Sequence, residues 1–267
     1  MTPVCKPLVK LLNEASYRHN LYDVFRDFVE MGAISIANSI DLAFAQPREE
    51  RYLQLMGKYE KKEQALFPKM LGELVNAMEA GPGDVLGAVF GELEISNAAR
   101  GQFFTPFEIC RLMARMTVCD GEEMRAIIRK RGFITAQEPA CGSGAQILAL
   151  AEAMHEAKIN YQQHLHVTAI DVDSRAVHMA YLQLSLAHVP AIIVLGNTLT
   201  LEEHEHWRTP AHILGLWDVK LRRGYALGSE MDQQGAMESA PKIADVQISP
   251  ARDGVPQLDL FGEEAAA

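Results

Sequence analysis

The feature that most constrains this chain is a glycine turn set between two segments of different periodicity. Before it, Gly132-Phe133-Ile134-Thr135-Ala136 is short, apolar and β-branched, as a strand is. After it, residues 145–151 have the composition and spacing of a helix. Between them stands Gln137-Glu138-Pro139-Ala140-Cys141-Gly142-Ser143-Gly144. Gly142 and Gly144 can take positive φ and let a ligand approach the backbone, and the helix that follows points free N–H groups at the turn. A Gly-x-Gly pair also occurs in turns built only for packing, so the neighbouring segments decide.

They continue the pattern. Residues 165–173, Leu165 to Asp173, read as a second strand with Asp171 at its carboxyl end, where nucleoside-binding folds hold ribose hydroxyls. Ser174 to Val189 reads as the crossover helix, with Asp173 as its N-cap. The bland alternative for Asp171 is that it only ends the strand. A third apolar run, Ala191 to Leu195, leads into Gly196-Asn197-Thr198-Leu199. Right-handed crossovers bring the three strand ends to one edge, so their polar tips are expected to line one cleft.

This series resembles the adenine-N6 DNA methyltransferase family, in particular the modification subunits of type I restriction systems. Glu138 to Gly144 is similar to the family's first S-adenosylmethionine motif, usually Asp-Pro-Ala-Cys-Gly-Ser-Gly. Gly101-Gln102-Phe103-Phe104-Thr105-Pro106 is similar to the motif that closes over the methionine end of the cofactor, and Asp84-Val85-Leu86-Gly87 to the lead-in. The likeness covers about residues 20 to 200. It implies an α/β, Rossmann-like S-adenosylmethionine-dependent methyltransferase fold, apparently truncated, preceded by an N-terminal helical region. It implies S-adenosyl-L-methionine as cofactor, held by Thr105, Glu138, Pro139, Ala140, Gly142, Gly144, Asp171 and Asn197. DNA, and a restriction-modification partner subunit, are the implied partners.

With 267 residues and 48% hydrophobic content the chain can bury a core. No long apolar run or basic-then-apolar leader is present, so a soluble, cytoplasmic protein away from the membrane is expected. Cys5, Cys110, Cys119 and Cys141 lack Cys-x-x-Cys spacing, so neither a zinc site nor a disulfide framework is expected. The formal net charge of -10 is awkward for holding DNA, because duplex affinity comes largely from Lys and Arg. Either the cations cluster on one face or a partner makes the contact. Candidate clusters are Arg125, Arg129, Lys130 and Arg131, then Arg208, Lys220, Arg222 and Arg223, each of which can also be read as ordinary solvated charge.

Up to about residue 80 the pattern is helical, broken at Gln46-Pro47, near Pro68 and at Gly81-Pro82-Gly83. It reads as a scaffold for the cofactor domain or, by the resemblance, as a clamp on DNA or on the specificity subunit. Phe107 to Met116 reads as a helix with Ile109, Leu112 and Met113 on one face, Thr105 as N-cap, Pro106 at the first helical position and Glu108 completing a capping box.

Transfer to adenine N6 needs oxygens that accept the amine hydrogens and a ring that stacks on the flipped base. In the resembled family Asn/Asp-Pro-Pro-aromatic supplies both, and no such motif follows Gly196. Trp217-Asp218-Val219 resembles the strand that leads into it but runs on to Arg222-Arg223-Gly224-Tyr225, which leaves Asp218 and Tyr225 as the catalytic candidates. His204, His206 and His212, with Trp207 and Trp217, form a cluster that suits packing or surface roles better than a metal. Near the end, Gln257-Leu258-Asp259-Leu260-Phe261 is similar to the peptide by which bacterial proteins dock on the replicative sliding clamp, with Gln257, Leu258, Leu260 and Phe261 as contacts; an amphipathic tail folded back on the domain is the alternative.

The expected layout is a helical region over 1–100, a cofactor domain over 101–228 and a flexible tail over 229–267. The expected function is adenine-N6-specific, S-adenosylmethionine-dependent DNA methylation in a restriction-modification setting. The rival is a catalytically silent cofactor-binding module that acts by binding DNA, a restriction-modification partner or the clamp. A small-molecule or protein methyltransferase is a third reading, against which the Gly101 to Pro106 motif argues.

Overall fold

The computed structural model describes residues 5–79, 81–93 and 105–239. Gly101, Gln102, Phe103 and Phe104 of the closing motif, and Gln257, Leu258, Leu260 and Phe261, lie outside the described residues.

The amino-terminal part is helical: α1 (Lys6–Ala15), α2 (Leu21–Asn38), α3 (Ala45–Met56), α4 (Lys61–Gln64), α5 (Phe67–Met78) and α6 (Val85–Glu92). Then come α7 (Phe107–Val118) and α8 (Glu122–Arg131). The sheet and its crossovers follow as β1 (Ile134–Glu138), α9 (Ala145–Glu156), α10 (Tyr161–His164), β2 (Leu165–Asp171), α11 (Ser174–Leu186) and β3 (Ala191–Asn197). Last are β4 (Glu202–Arg208), α12 (Pro210–Leu214), α13 (Trp217–Arg223) and α14 (Glu230–Ser239).

The strand order is β1-β2-β3-β4, with β1, β2 and β3 parallel and β4 antiparallel to β3. Both crossovers step in the same direction, so right-handedness puts α9 and α11 on one face of the sheet. There Leu165, Val167, Ala169, Ala191 and Ile193 join Leu148, Val177 and Leu184 in the core. That core runs on through the amino-terminal helices, from Leu8 and Phe25 to Phe90. Helix α2 packs across α11, and a Cβ on Gly32 would stand 3.2 Å from the Leu182 methyls. Helix α11 is therefore buried on all sides, where periodicity alone asks only for a face toward the sheet.

The second face is covered less completely. Trp217 of α13 packs on Phe133 and His166, with ring centroids 5.4 and 5.2 Å apart, while Thr135 and Gln137 of β1 stay exposed.

Three local expectations are corrected. The segment read as a strand from Trp217 is the helix α13: Asp218 stands in its first turn, Lys220, Arg222 and Arg223 in its last, and Gly224 ends it at φ 80°. Residues 230–239, placed in a flexible tail, form α14, which packs on α8. Helix α7 starts at Phe107 with Pro106 as N-cap and no side-chain cap bond, so the Thr105 hydroxyl does not cap it.

Candidate functional site

The turn after β1 has the geometry that its glycines allow. Gly142 sits at φ 53° and Gly144 at φ 88°, a region that costs an ordinary residue about 1–2 kcal/mol. A Cβ on Gly144 would stand in contact with Ala180 of α11, 3.4 Å away.

Asp171, at the carboxyl end of β2, holds the turn in front. One carboxylate oxygen accepts the Gly142 N–H at 2.8 Å and the other accepts the Asp173 N–H at 3.0 Å. Each oxygen keeps a second lone-pair site free, so the carboxylate can still accept from a ligand hydroxyl. Asp173 caps α11 by accepting from the Arg175 N–H at 2.9 Å. The Arg175 guanidinium bonds Asp173 at 2.6 Å and lies over the rings of Tyr22 and Phe90, which ties this loop to α2 and α6.

A second set of residues holds the turn from behind, and sequence reasoning noted only its lead-in. Asp84 is buried and accepts from the Ser143 hydroxyl at 2.9 Å, from Gln183 Nε2 at 3.0 Å and from the Gly87 N–H at 2.9 Å. Gln183 Nε2 also donates to the Ser143 carbonyl at 2.8 Å, and its Oε1 accepts the Leu86 N–H at 2.9 Å. Burial pushes the Asp84 carboxyl up from the usual range, against the pull of these bonds. Gln183, set between Leu182 and Leu184 in a helix that also buries Arg175, His178 and Ser185, was the signal to follow, because a buried amide is ordinarily bonded.

Together these elements shape a crevice of about 480 Å³ at the carboxyl ends of β1 and β2, within the range of ligand pockets. Thr105, Glu138, Ala140, Gly142 and Asp171 line it, with Met113 of α7 and the start of α9. Pro139 and Gly144 belong to the same turn without lining the cavity. Asn197 is not brought there. Its side-chain oxygen accepts from the Leu199 N–H at 2.9 Å and the Thr200 N–H at 3.4 Å, so it closes the β3–β4 turn instead. The third strand end still touches the site, because the Thr198 hydroxyl donates to the Pro139 carbonyl at 2.7 Å.

The catalytic candidates stand elsewhere. Ala226, next to Tyr225, donates its N–H to the Arg131 carbonyl at 2.8 Å, at the amino end of β1. Tyr225 lines a separate cleft there, of about 850 Å³, with Arg129, Lys220 and Arg223. It is thus a strand length, roughly 15 Å, from the crevice. Asp218 lies 3.3 Å from His212 Nε2, and His212 Nδ1 lies 2.9 Å from His166 Nε2. This chain, buried at the two histidines and ending at the exposed Asp218, fastens α12 and α13 to β2. Burial pulls His166 down from 6.5 to about 4 and lowers His212 as well.

Of the three histidines singled out in the sequence, His212 stands apart from His204 and His206, which line one cleft. His212 is buried, whereas His206 bonds Glu203 at 2.8 Å on the exposed β4. His204 lines a third cleft, of about 1010 Å³, beside Arg48, Trp207 and Arg208. Of the two basic clusters, Arg129 meets Lys220 and Arg223, while Arg125 is taken up by Glu122 and the Ala157 carbonyl. Among the described residues no helix is long and apolar enough to cross a membrane.

Comparisons with known proteins bear on the same region. Residues 83–215 match the family model described as N-6 DNA Methylase. The chain is similar to a solved Listeria monocytogenes protein assigned as a class I S-adenosylmethionine-dependent methyltransferase, at 14% identity and TM-score 0.38, over 71% of this chain and 52% of that one. It is also similar to the methyltransferase subunit of a type I restriction-modification system from Streptococcus thermophilus, at 23% identity and TM-score 0.35, over 71% of this chain and 38% of that one. It thus spans about half the length of the first and less of the second. No curated protein matches the chain. Over residues 83–215, which hold the glycine turn, Asp84 and Asp171, the chain belongs to the N-6 DNA methylase family.

Proposed function

We propose that this chain binds S-adenosyl-L-methionine in the crevice after β1 and serves adenine-N6-specific methylation of DNA. One observation carries the reading: the Glu138 to Gly144 turn is bonded to Asp171 in front and to Asp84 behind, at the carboxyl ends of adjacent parallel strands. The residues suit the cofactor. Asp171 keeps lone pairs for ribose hydroxyls, and Glu138 adds a carboxylate within reach of the cofactor's ammonium group. Gly142 bares the backbone, and the amino end of α9 favours an anion such as the cofactor's carboxylate. When bound, the cofactor supplies a methyl group on a positively charged sulfur.

The position of Asp218 and Tyr225 at the opposite end of β1 favours a second reading, a cofactor-binding module that does not itself transfer methyl. The test is an extract of the native host deleted for this chain, given unmethylated DNA, labelled S-adenosylmethionine and the purified protein. Label on adenine N6 that depends on the added chain is expected. Chain-dependent label on cytosine or on protein contradicts the reading, and cofactor binding with no chain-dependent label establishes the module instead.

A further inference from the structure

The crevice is walled on one side only. In an open parallel sheet a ligand sits outside the carboxyl ends of the strands where strand order reverses, so that the strand carrying the turn has a neighbour on each side. Here the order β1-β2-β3-β4 never reverses, and among the described residues no strand pairs with the outer edge of β1. Parallel strands are ordinarily buried, and an uncovered edge offers its backbone groups to another chain. Thr135 and Gln137 of β1 are exposed, although β1 follows the buried Phe133.

A second surface ends at the same crevice. Helix α7 buries Cys110, Ala114 and Val118 and turns outward Ile109, Leu112, Met113 and Met116, which are 48%, 58%, 49% and 74% exposed. Their spacing of three, four and seven residues makes one stripe, the pattern of a helix face that packs. The stripe offers on the order of 400 Å² of apolar surface, as much as the largest patch on an ordinary monomer. That is about half of the roughly 800 Å² that one side of a stable interface buries. The charges beside it are spent within the chain, Arg111 on Glu152 at 2.7 Å and Arg115 on Glu156 at 2.7 Å. The stripe therefore suits an apolar surface, and its Met113 reaches into the crevice.

The third observation is chemical. Transfer to a flipped adenine calls for a ring to stack on the base and an oxygen to accept the amine hydrogens. Among the described residues no aromatic side chain lines the crevice, and the carboxylates that do are Glu138 and the already bonded Asp171. Resting on the functional reading above, the geometry points to a second polypeptide that lays a strand along β1 and packs an apolar helix face on the α7 stripe. It brings to the open side of the crevice an aromatic ring and a carboxamide or carboxylate, groups that the described residues do not place there. A strand edge selects extended backbone and the stripe selects an apolar partner, so the occupant is a protein completing the fold, with nucleic acid arriving only at the finished site.

The full chain carrying the photo-crosslinker p-benzoylphenylalanine at Met116 or at Thr135 tests this, with Tyr17, 92% exposed in the amino-terminal region, as control. Irradiated in the native host, both test positions should give an adduct with one and the same polypeptide, and Tyr17 should not. In that partner the crosslinked strand should end in a carboxamide or carboxylate beside an aromatic residue. Adding Leu112→Glu, a change at an exposed position, should lower the Thr135 adduct at least tenfold. An adduct between two copies of this chain, an internal adduct, no adduct, equal yield at Tyr17 or a partner without those groups overturns the proposal. Cofactor calorimetry on the unmodified chain separates the two levels: binding without an adduct removes the interface alone, and absence of binding removes the reading it rests on.

Discussion

Asp84 and Asp171 work from opposite sides of the same turn, and their roles follow from what each oxygen already holds. Asp84 spends its oxygens on Ser143, Gln183 and Gly87 and is buried, so it is a positioning group. Asp84→Ala leaves the Ser143 hydroxyl with no acceptor and Gln183 Nε2 with one fewer, and an unsatisfied buried group costs about 1–3 kcal/mol. Urea unfolding should show a loss of that size, together with weaker cofactor binding; an unchanged midpoint removes Asp84 from the support. Gly144→Ala meets both a positive φ and Ala180, and should cost about 1–2 kcal/mol by the same measurement. Asp171 and the glycines were legible in the sequence because a strand end and a turn are local. The Asp84–Ser143–Gln183 network was not, since its bonds span 59 and 99 residues. Asn197 was misplaced for the opposite reason: a local bond to its own turn outcompetes the distant role that family spacing suggests.

Among the elements, the parallel strands were readable because strands buried on a face appear as apolar runs. Strand β4, Glu202-Glu203-His204-Glu205-His206-Trp207-Arg208, was not, because five of its residues are exposed and its charges suit a sheet edge. The turn from Asn197 and the seat of Trp207 beside Tyr181, at 5.3 Å, hold it in place. Helix α13 was mistaken for a strand on the strength of Trp217-Asp218-Val219, although Gly224 and the terminal cations marked a helix end. Its attachment makes a pH prediction. His166 has a folded pKa of about 4 against 6.5 when unfolded, so the folded state resists protonation. The stability of the neutral form is complete above 6.5 and is lost as pH falls from 6.5 toward 4, by up to about 3 kcal/mol. Urea midpoints between pH 4 and 7 should fall accordingly in the wild type and less steeply in His166→Leu; identical slopes would show that His166 does not carry the effect.

At the scale of the whole molecule, one hydrophobic core joins the amino-terminal helices to the sheet, so these helices act as a scaffold through α2 and α11. Among the described residues no strand flanks β1 on its outer edge, and the sequence announced this only as a missing acceptor motif. An absent motif says nothing about which surface is left uncovered, whereas the strand order does. The acidic balance is resolved in part: Arg129, Lys220 and Arg223 converge from segments about ninety residues apart, yet at the end of the sheet away from the crevice. They therefore supply no cations where a flipped base would enter, which agrees with a partner making that contact. The account rests on the crevice being a cofactor site with Asp171 at its centre. Isothermal titration of S-adenosylmethionine into the full chain and into Asp171→Ala, with urea unfolding of both as the control for folding, tests this most directly. One site is expected, weakened by about 1.5–3 kcal/mol, or roughly 10- to 150-fold, in the variant, the scale of a hydrogen bond to a charged group. No binding by the wild type, or equal affinity in a folded variant, would contradict the account.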